Sequence, residues 1–204
     1  MLAESYYTGK KSKPKLMKLT FGDVEKVVYK IDIADEEYEI CESFSSNMWA
    51  NKKTGTYGRG LANTKEDPYK VERTGKIGEL AFSKVFGLPV DFTYREGGDK
   101  YDFIDASNKT IDIKTSMKRP WYDAGLIRAT NEGKIPMNLN CDLYVFAYLL
   151  LDEKSKKQAS VILIGASEKE EIIKREKFPA RKGSHLNYEV PYKEMISIRD
   201  LKLS

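Results

Sequence analysis

The chain has 204 residues, of which 41% are apolar and 11% aromatic, and this composition argues for a buried hydrophobic core and against wholesale disorder. Two cysteines and one histidine are too few for a zinc finger or zinc ribbon, and they leave His185 as the sole candidate base for a serine or cysteine hydrolase. The 35 basic and 31 acidic residues almost cancel. Because cysteine and histidine are so few, any catalysis is expected to use carboxylates, lysine and a hard metal ion.

The chain is interpreted as one domain, 1–204, in which residues 1–18 form a flexible basic arm. Residues 1–20 hold five lysines and one glutamate, and the lysine-rich run 10–15 cannot bury a face. Such arms contact nucleic-acid phosphates, but they are as often solvated termini. The lysines alone do not decide between these two interpretations.

The first elements predicted are a strand over residues 24–33 and an acidic, helical segment over residues 35–42. Residues 51–67 are rich in Gly, Lys, Thr and Asn, which is typical of an exposed loop. Thr74 is a candidate cap for a helix that ends near Phe86, because Gly and Pro follow. The apolar residues of this helix recur at helical spacing.

Three short strands are predicted next, over residues 90–94, 101–105 and 110–115. Residues 118–134 are mixed and are interpreted as helical. The near-continuous apolar runs 143–151 and 160–164 are typical of central strands buried on both faces. A helix, a strand hairpin, a second helix and a strand pair together predict an α/β fold with a mixed sheet.

The most informative segment is Ile111-Asp112-Ile113-Lys114. Side chains alternate between the two faces of a strand, so the carboxylate and the amine share one face and the isoleucines share the other. The alternative, non-catalytic interpretation of such a pair is the solvated face of an edge strand.

Asp102 lies in the preceding predicted strand. An odd number of residues in the turn places Phe103 with the isoleucines and Asp102 with Asp112. An even number points a charge at the core, which is costly. Burial therefore favours two carboxylates and a lysine on one patch, and Glu79, in the helix before these strands, is placed to reach it.

Glu79 in a helix, followed by Asp102 and then by Asp112-Ile113-Lys114, resembles the motif of the PD-(D/E)xK, or restriction-endonuclease-like, nuclease superfamily. The resemblance covers about residues 74–165 and implies a restriction-endonuclease-like core, in which a central mixed β-sheet is flanked by helices. Tyr101 stands where the family usually has proline.

A second aspartate competes for the first position of the motif. Asp99 lies three residues before Asp102, in a glycine-rich loop. Asp102 is preferred because it belongs to the strand pattern.

The resemblance implies a role for each residue of the motif. Asp102, Asp112 and the backbone carbonyl of Ile113 would bind Mg²⁺ or Mn²⁺, and Glu79 would complete the shell or orient a water. Lys114 would position or activate the attacking water and offset charge in the transition state. No organic cofactor is implied.

Basic and aromatic side chains are the candidate contacts to nucleic acid. They are Lys118, Arg119, Trp121 and Arg128 after the catalytic strand, and Arg59 in the loop. An exposed, solubilising surface is the alternative interpretation of both groups.

The expected function is a Mg²⁺-dependent deoxyribonuclease that cuts duplex or branched DNA internally, with a homodimer left open. A non-catalytic nucleic-acid-binding module on the same fold, a Holliday-junction-resolvase-like activity and an exonuclease are the alternatives. The longest apolar run, 143–151, is about half a membrane span, so no membrane contact is expected. Without an export signal at Met1, the expected location is the cytoplasm.

Overall fold

The computed structural model describes residues 6–7, 14–54, 68–93, 95, 100–117, 124–130, 136–151, 159–180 and 185–203. The helices in these ranges are α1 (Asp35–Thr54), α2 (Pro68–Phe86) and α3 (Lys169–Ile173). The strands are β1 (Tyr6–Tyr7), β2 (Lys15–Phe21), β3 (Val24–Ile33), β4 (Val90–Asp91), β5 (Phe103–Ile104), β6 (Thr110–Ser116), β7 (Ala124–Arg128), β8 (Leu143–Leu151), β9 (Ala159–Glu168), β10 (Lys177–Pro179), β11 (Leu186–Pro191) and β12 (Ile196–Ser197).

The central sheet has the strand order β2-β3-β9-β8-β6-β5, and β12 also pairs with β9. The β6–β8 pair is parallel, whereas the other pairs of this sheet are antiparallel. The predicted α/β class with a mixed sheet is confirmed at this level. The two longest apolar runs form β8 and β9 in the middle of the sheet and are buried almost throughout, as their composition predicts.

Each face of the central sheet has its own core. On one face, Ile111 and Ile113 of β6 pack in a cluster with Leu80 of α2. On the other face, Phe146 of β8 belongs to a second cluster, which is covered by a small sheet of order β10-β11-β7. Gly125 of β7 approaches so closely that an added Cβ would lie 2.1 Å from Cδ1 of Phe146.

Several predicted elements differ from the structure. Helix α1 runs to Thr54, into residues predicted to be a loop, and the strand predicted over residues 101–105 is limited to Phe103–Ile104. Two other segments differ because of their strand partners. Residues 124–128, which were expected to be helical, form β7, because they pair with β11 and bury Ile127 while exposing Leu126. In the described part of the predicted strand 90–94, Val90–Asp91 forms a strand, and it pairs with β1 rather than with the central sheet. In both cases a partner distant in sequence selects the conformation.

The predicted basic arm is also corrected in part. Tyr6–Tyr7 is β1, and residues 15–18 belong to β2. The lysines of β2 form exposed ion pairs there with carboxylates of β3. The Lys15 ammonium lies 2.5 Å from Asp32, and that of Lys18 lies 2.8 Å from Glu25.

Helix α2 starts earlier than its sequence pattern predicts. Thr74 lies inside the helix and donates its hydroxyl to the Lys70 carbonyl at 2.7 Å, and the helix begins at Pro68, a residue that suits the first turn. Its end at Phe86 is as predicted, with Gly87 at φ +77° directly afterwards. None of the helices in the described ranges has the length and apolar character needed to cross a membrane.

Candidate active site

The turn before β6 is organised by Asp105. Its Oδ1 accepts hydrogen bonds from the backbone N–H groups of Ser107 and Lys109, each at 2.9 Å. Asn108 adopts φ +64°, a left-handed conformation that asparagine tolerates. The turn therefore has a defined length, which fixes the strand register that follows.

Five residues, 105–109, separate the last paired positions, Ile104 and Thr110. The number is odd, and Phe103 consequently lies opposite Ile111, with both side chains buried. Continuing this register by one position places Asp102 across from Asp112. The parity prediction from the sequence is confirmed.

The carboxylate of Asp102 closes the edge of the sheet. Its Oδ2 accepts a hydrogen bond from the backbone N–H of Ile113 at 2.6 Å, so it satisfies a donor that strand β5 is too short to reach. Burial, and then the negative charge of Asp112, raises the pKa of Asp102 to about 7, although the Ile113 N–H, Lys76 and Lys114 oppose the shift. The two aspartates therefore lie close enough for their charges to interact.

Asp112 and Lys114 form an ion pair, with 2.6 Å between Oδ2 and Nζ. The Asp112 side chain is 18% exposed and that of Lys114 is 43% exposed, so the ammonium is accessible to a substrate. Tyr144 of β8 is the cross-strand neighbour of Asp112, and its ring centroid lies 6.0 Å from the Lys114 nitrogen. Burial raises the pKa of Tyr144 to about 12, so the phenol of Tyr144 adds no charge to the site.

Glu79 approaches from the opposite face of the sheet. Helix α2 packs on the isoleucine face of β6, where a Cβ on Gly78 would lie 1.8 Å from Oγ1 of Thr115. Glu79 follows directly and lines a pocket of about 430 Å³ together with Asp102. Asp112 and Lys114 do not line this pocket, so the single patch of all four motif residues stays a prediction.

Lys76 is a residue of this site that the sequence analysis missed. Its Nζ lies 2.6 Å from Oε2 of Glu79 and donates to the Asp91 carbonyl at 3.0 Å. The rings of Phe44 and Phe92 lie 4.9 and 5.7 Å from the same nitrogen. A lysine three residues before a glutamate, on a helix with an apolar face, is a signal that could have identified the pair.

The aspartate pair fits a hard divalent ion. Mg²⁺ is commonly held by one or two carboxylates, keeping waters and taking oxygens from substrate phosphates. A cation would also offset the negative charge of Asp112, which adds to the effect of burial in raising the Asp102 pKa. Over the described ranges, no three His, Cys, Asp or Glu side chains gather closely enough to hold a metal ion by themselves, and Glu79 is engaged by Lys76 instead.

The remaining candidate contacts are distributed differently. Arg128 lies in β7, in the small sheet, with its Nη2 at 3.3 Å from Nδ1 of His185. Both cysteines, Cys41 and Cys141, are free and buried. Several candidates lie outside the described residues: Arg59, Asp99, Lys118, Arg119 and Trp121.

Comparisons of the chain with protein-family models, curated proteins and solved structures found no match. Function is therefore inferred from the geometry and chemistry of the site's own residues.

Proposed function

We propose that this chain is a metal-dependent deoxyribonuclease that hydrolyses phosphodiester bonds internally. The observation that carries the proposal is the convergence of Asp102, Asp112 and Lys114 at one edge of the central sheet, with Lys114 accessible from solvent. Two interacting carboxylates with an adjacent ammonium match the needs of phosphodiester hydrolysis, which are a bound cation, a positioned water and charge neutralisation.

The arrangement of elements supports a restriction-endonuclease-like core. Helix α2 packs on β6, the β5–β6 hairpin supplies the two aspartates, and β8 runs parallel to β6. One departure is that the described part of the connection from β6 to β8 contains β7, where the resemblance leads one to expect a helix.

In this proposal Asp102, Asp112 and the carbonyl of Ile113 hold Mg²⁺ or Mn²⁺. When bound, the ion supplies a Lewis acid for the phosphate and lowers the pKa of a coordinated water. Lys114 leaves its contact with Asp112 and contacts the substrate instead. There it positions the attacking water and offsets the negative charge of the transition state. Lys76 fixes the carboxylate of Glu79 beside Asp102 on the other side of the edge.

A covalently closed circular plasmid tests the proposal, because a circle has no ends and only an endonuclease nicks it. We expect nicking with Mg²⁺ or Mn²⁺ and none with EDTA. Cleavage that persists in EDTA would contradict the metal assignment. Digestion of linear but not of circular DNA would indicate an exonuclease instead.

The same experiment addresses the non-catalytic alternative. A binding module on this fold would cleave no substrate with any divalent ion, yet its affinity for DNA would fall steeply with salt, because phosphate contacts release counterions. Single strands, duplexes, flaps and four-way junctions form the substrate panel, and the junction arm tests a resolvase-like activity.

A further inference from the structure

The pocket beside Asp102 has a wall that the proposed chemistry does not use. It lies between α2, the segment that follows α2, and strand β5. Leu88, Pro89 and Phe103 form an apolar surface inside it, while Tyr101 stands at the margin with 41% of its surface exposed. An apolar slot with an exposed aromatic ring suits a flat, partly apolar ligand.

Cationic groups line the same pocket. The ammonium of Lys76 is buried on one wall, where Glu79 and the Asp91 carbonyl hold it. Arg95 lies in the lining as well, with its guanidinium 2.5 Å from Oδ2 of Asp91 and its side chain 44% exposed. Lys100 is a third cation of the lining and is exposed. Three carboxylates line the pocket as well, and two of them pair with Lys76 and Arg95, so the exposed Lys100 is the group placed to attract an anion.

The size of the pocket limits what can enter it. About 430 Å³ is within the range of sites for single small molecules. A DNA duplex instead needs an extended surface, typically about 1,000–2,500 Å² on the protein. The pocket therefore suits one nucleotide rather than a base pair.

We propose that this pocket binds a single unpaired nucleotide next to the scissile phosphate, with its base against Tyr101 and the apolar wall. The inference rests on the proposed nuclease function and narrows its substrate to single-stranded, flapped or transiently opened DNA. Asp102 connects the proposed catalytic site with the pocket, because it belongs both to the carboxylate pair and to the pocket lining. A supercoiled plasmid meets the requirement through its transiently unpaired segments.

Binding is tested without catalysis, by titrating the full chain with thymidine 5′-monophosphate in EDTA at low salt and measuring heat or NMR shifts. Saturable binding is expected. Tyr101→Ala should weaken it about tenfold, as loss of one stacking contact typically does, whereas Tyr101→Phe should retain it. Ile104→Trp, which adds bulk in the pocket lining, should also reduce binding.

The control is Leu126→Trp, because Leu126 is 55% exposed on β7 and does not line the pocket. This variant should bind the nucleotide as the parent chain does. No saturable binding by the parent, or equal loss in the control, would overturn the inference.

A cleavage assay with Mg²⁺ separates this inference from the proposed function. Single strands and flaps should be cut faster than blunt duplex, and Tyr101→Ala should reduce that preference. Plasmid nicking without nucleotide binding would remove the pocket inference and leave the nuclease. Nucleotide binding without cleavage under any divalent ion would preserve the pocket and overturn the nuclease.

Discussion

Two lysines engage two carboxylates at the candidate site, and their surroundings differ. The Lys114–Asp112 pair is 43% and 18% exposed, whereas the Lys76–Glu79 pair is 8% and 10% exposed. An exposed pair contributes little to stability, but breaking a buried pair leaves an uncompensated charge. We therefore assign exchange with substrate to Lys114 and a positioning role to Lys76.

Lys114→Ala should slow plasmid cleavage strongly while leaving folding almost unchanged. The loss is expected to be about 10²–10⁴-fold in rate, since the substitution removes a group that acts in the transition state. The matched control is Lys18→Ala, another exposed strand lysine with a carboxylate partner, here Glu25 at 2.8 Å. Rates come from plasmid nicking and stability from thermal unfolding. Equal activity of the two variants would contradict the role of Lys114.

The raised pKa of Asp102 predicts that the stability of the metal-free protein depends on pH. Its pKa is about 7 in the folded chain and near 3.8 when unfolded, so the folded state binds more protons between these values. The free energy of unfolding should therefore fall as pH rises from about 4 to about 7, by at most about 1.4 kcal/mol per pH unit from this one group.

Urea unfolding in EDTA at several pH values measures this slope. Asp102→Asn should reduce it, because an amide does not titrate over this range. A variant that keeps the slope of the parent would show that another group carries it. Asp112→Ala should also reduce the slope, since it removes the charge that helps raise the Asp102 pKa.

At the scale of elements, the site depends on how closely α2 approaches β6. The approach is possible because Gly78 has no side chain where the Thr115 hydroxyl lies. Glu79 is the next residue, so any displacement of the helix moves its carboxylate together with the ammonium of its partner, Lys76. Because protein interiors are closely packed, a displacement of α2 at this contact destabilises the fold.

A pair of glycines in α2 provides a matched test of this packing. Gly78→Ala should destabilise the protein and lower cleavage, because the new Cβ would lie 1.8 Å from Oγ1 of Thr115. Gly75→Ala meets nothing within 4 Å and should be neutral or stabilise by up to about 1 kcal/mol through helix propensity. Denaturant unfolding and plasmid nicking measure both effects. Similar behaviour of the two variants would refute the packing argument.

At the scale of the whole molecule, the candidate site lies where the central sheet ends. Strand β5 has two residues, and beyond it the carboxylate of Asp102 takes the place of a strand partner for Ile113. The faces of the sheet away from this edge are covered by α2 and by the small sheet. The edge therefore gives a polar position at the margin of the covered sheet, where the Lys114 side chain is 43% exposed.

Binding of a divalent ion at this edge should stabilise the entire fold. A ligand that binds only the folded state adds about 2.7 kcal/mol at 100 times its dissociation constant. We expect the melting temperature to rise with increasing Mn²⁺, and the rise to disappear in Asp102→Asn and Asp112→Asn. Lys114→Ala should keep it, because lysine is not a ligand. An equal rise in all variants would mean that the ion binds elsewhere.

Much of the local structure was predictable from the sequence. The strand Val24–Ile33 and the end of α2 before Gly87 were predicted as observed. The alternation of Ile111 and Ile113 with Asp112 and Lys114 also determined which side chains share a face. These features follow from local periodicity and backbone preference, which each segment carries by itself.

Contacts between distant segments decided the rest. The strand identity of residues 124–128 depends on pairing with β11, which local pattern does not reveal. The position of Glu79 in the pocket beside Asp102 required the packing of α2 on the isoleucine face. The burial of Lys76 likewise came from aromatic rings on two other segments. The sequence alone thus determined the faces of the strands, whereas tertiary packing determined which face each partner covers, because packing depends on residues far apart in the chain.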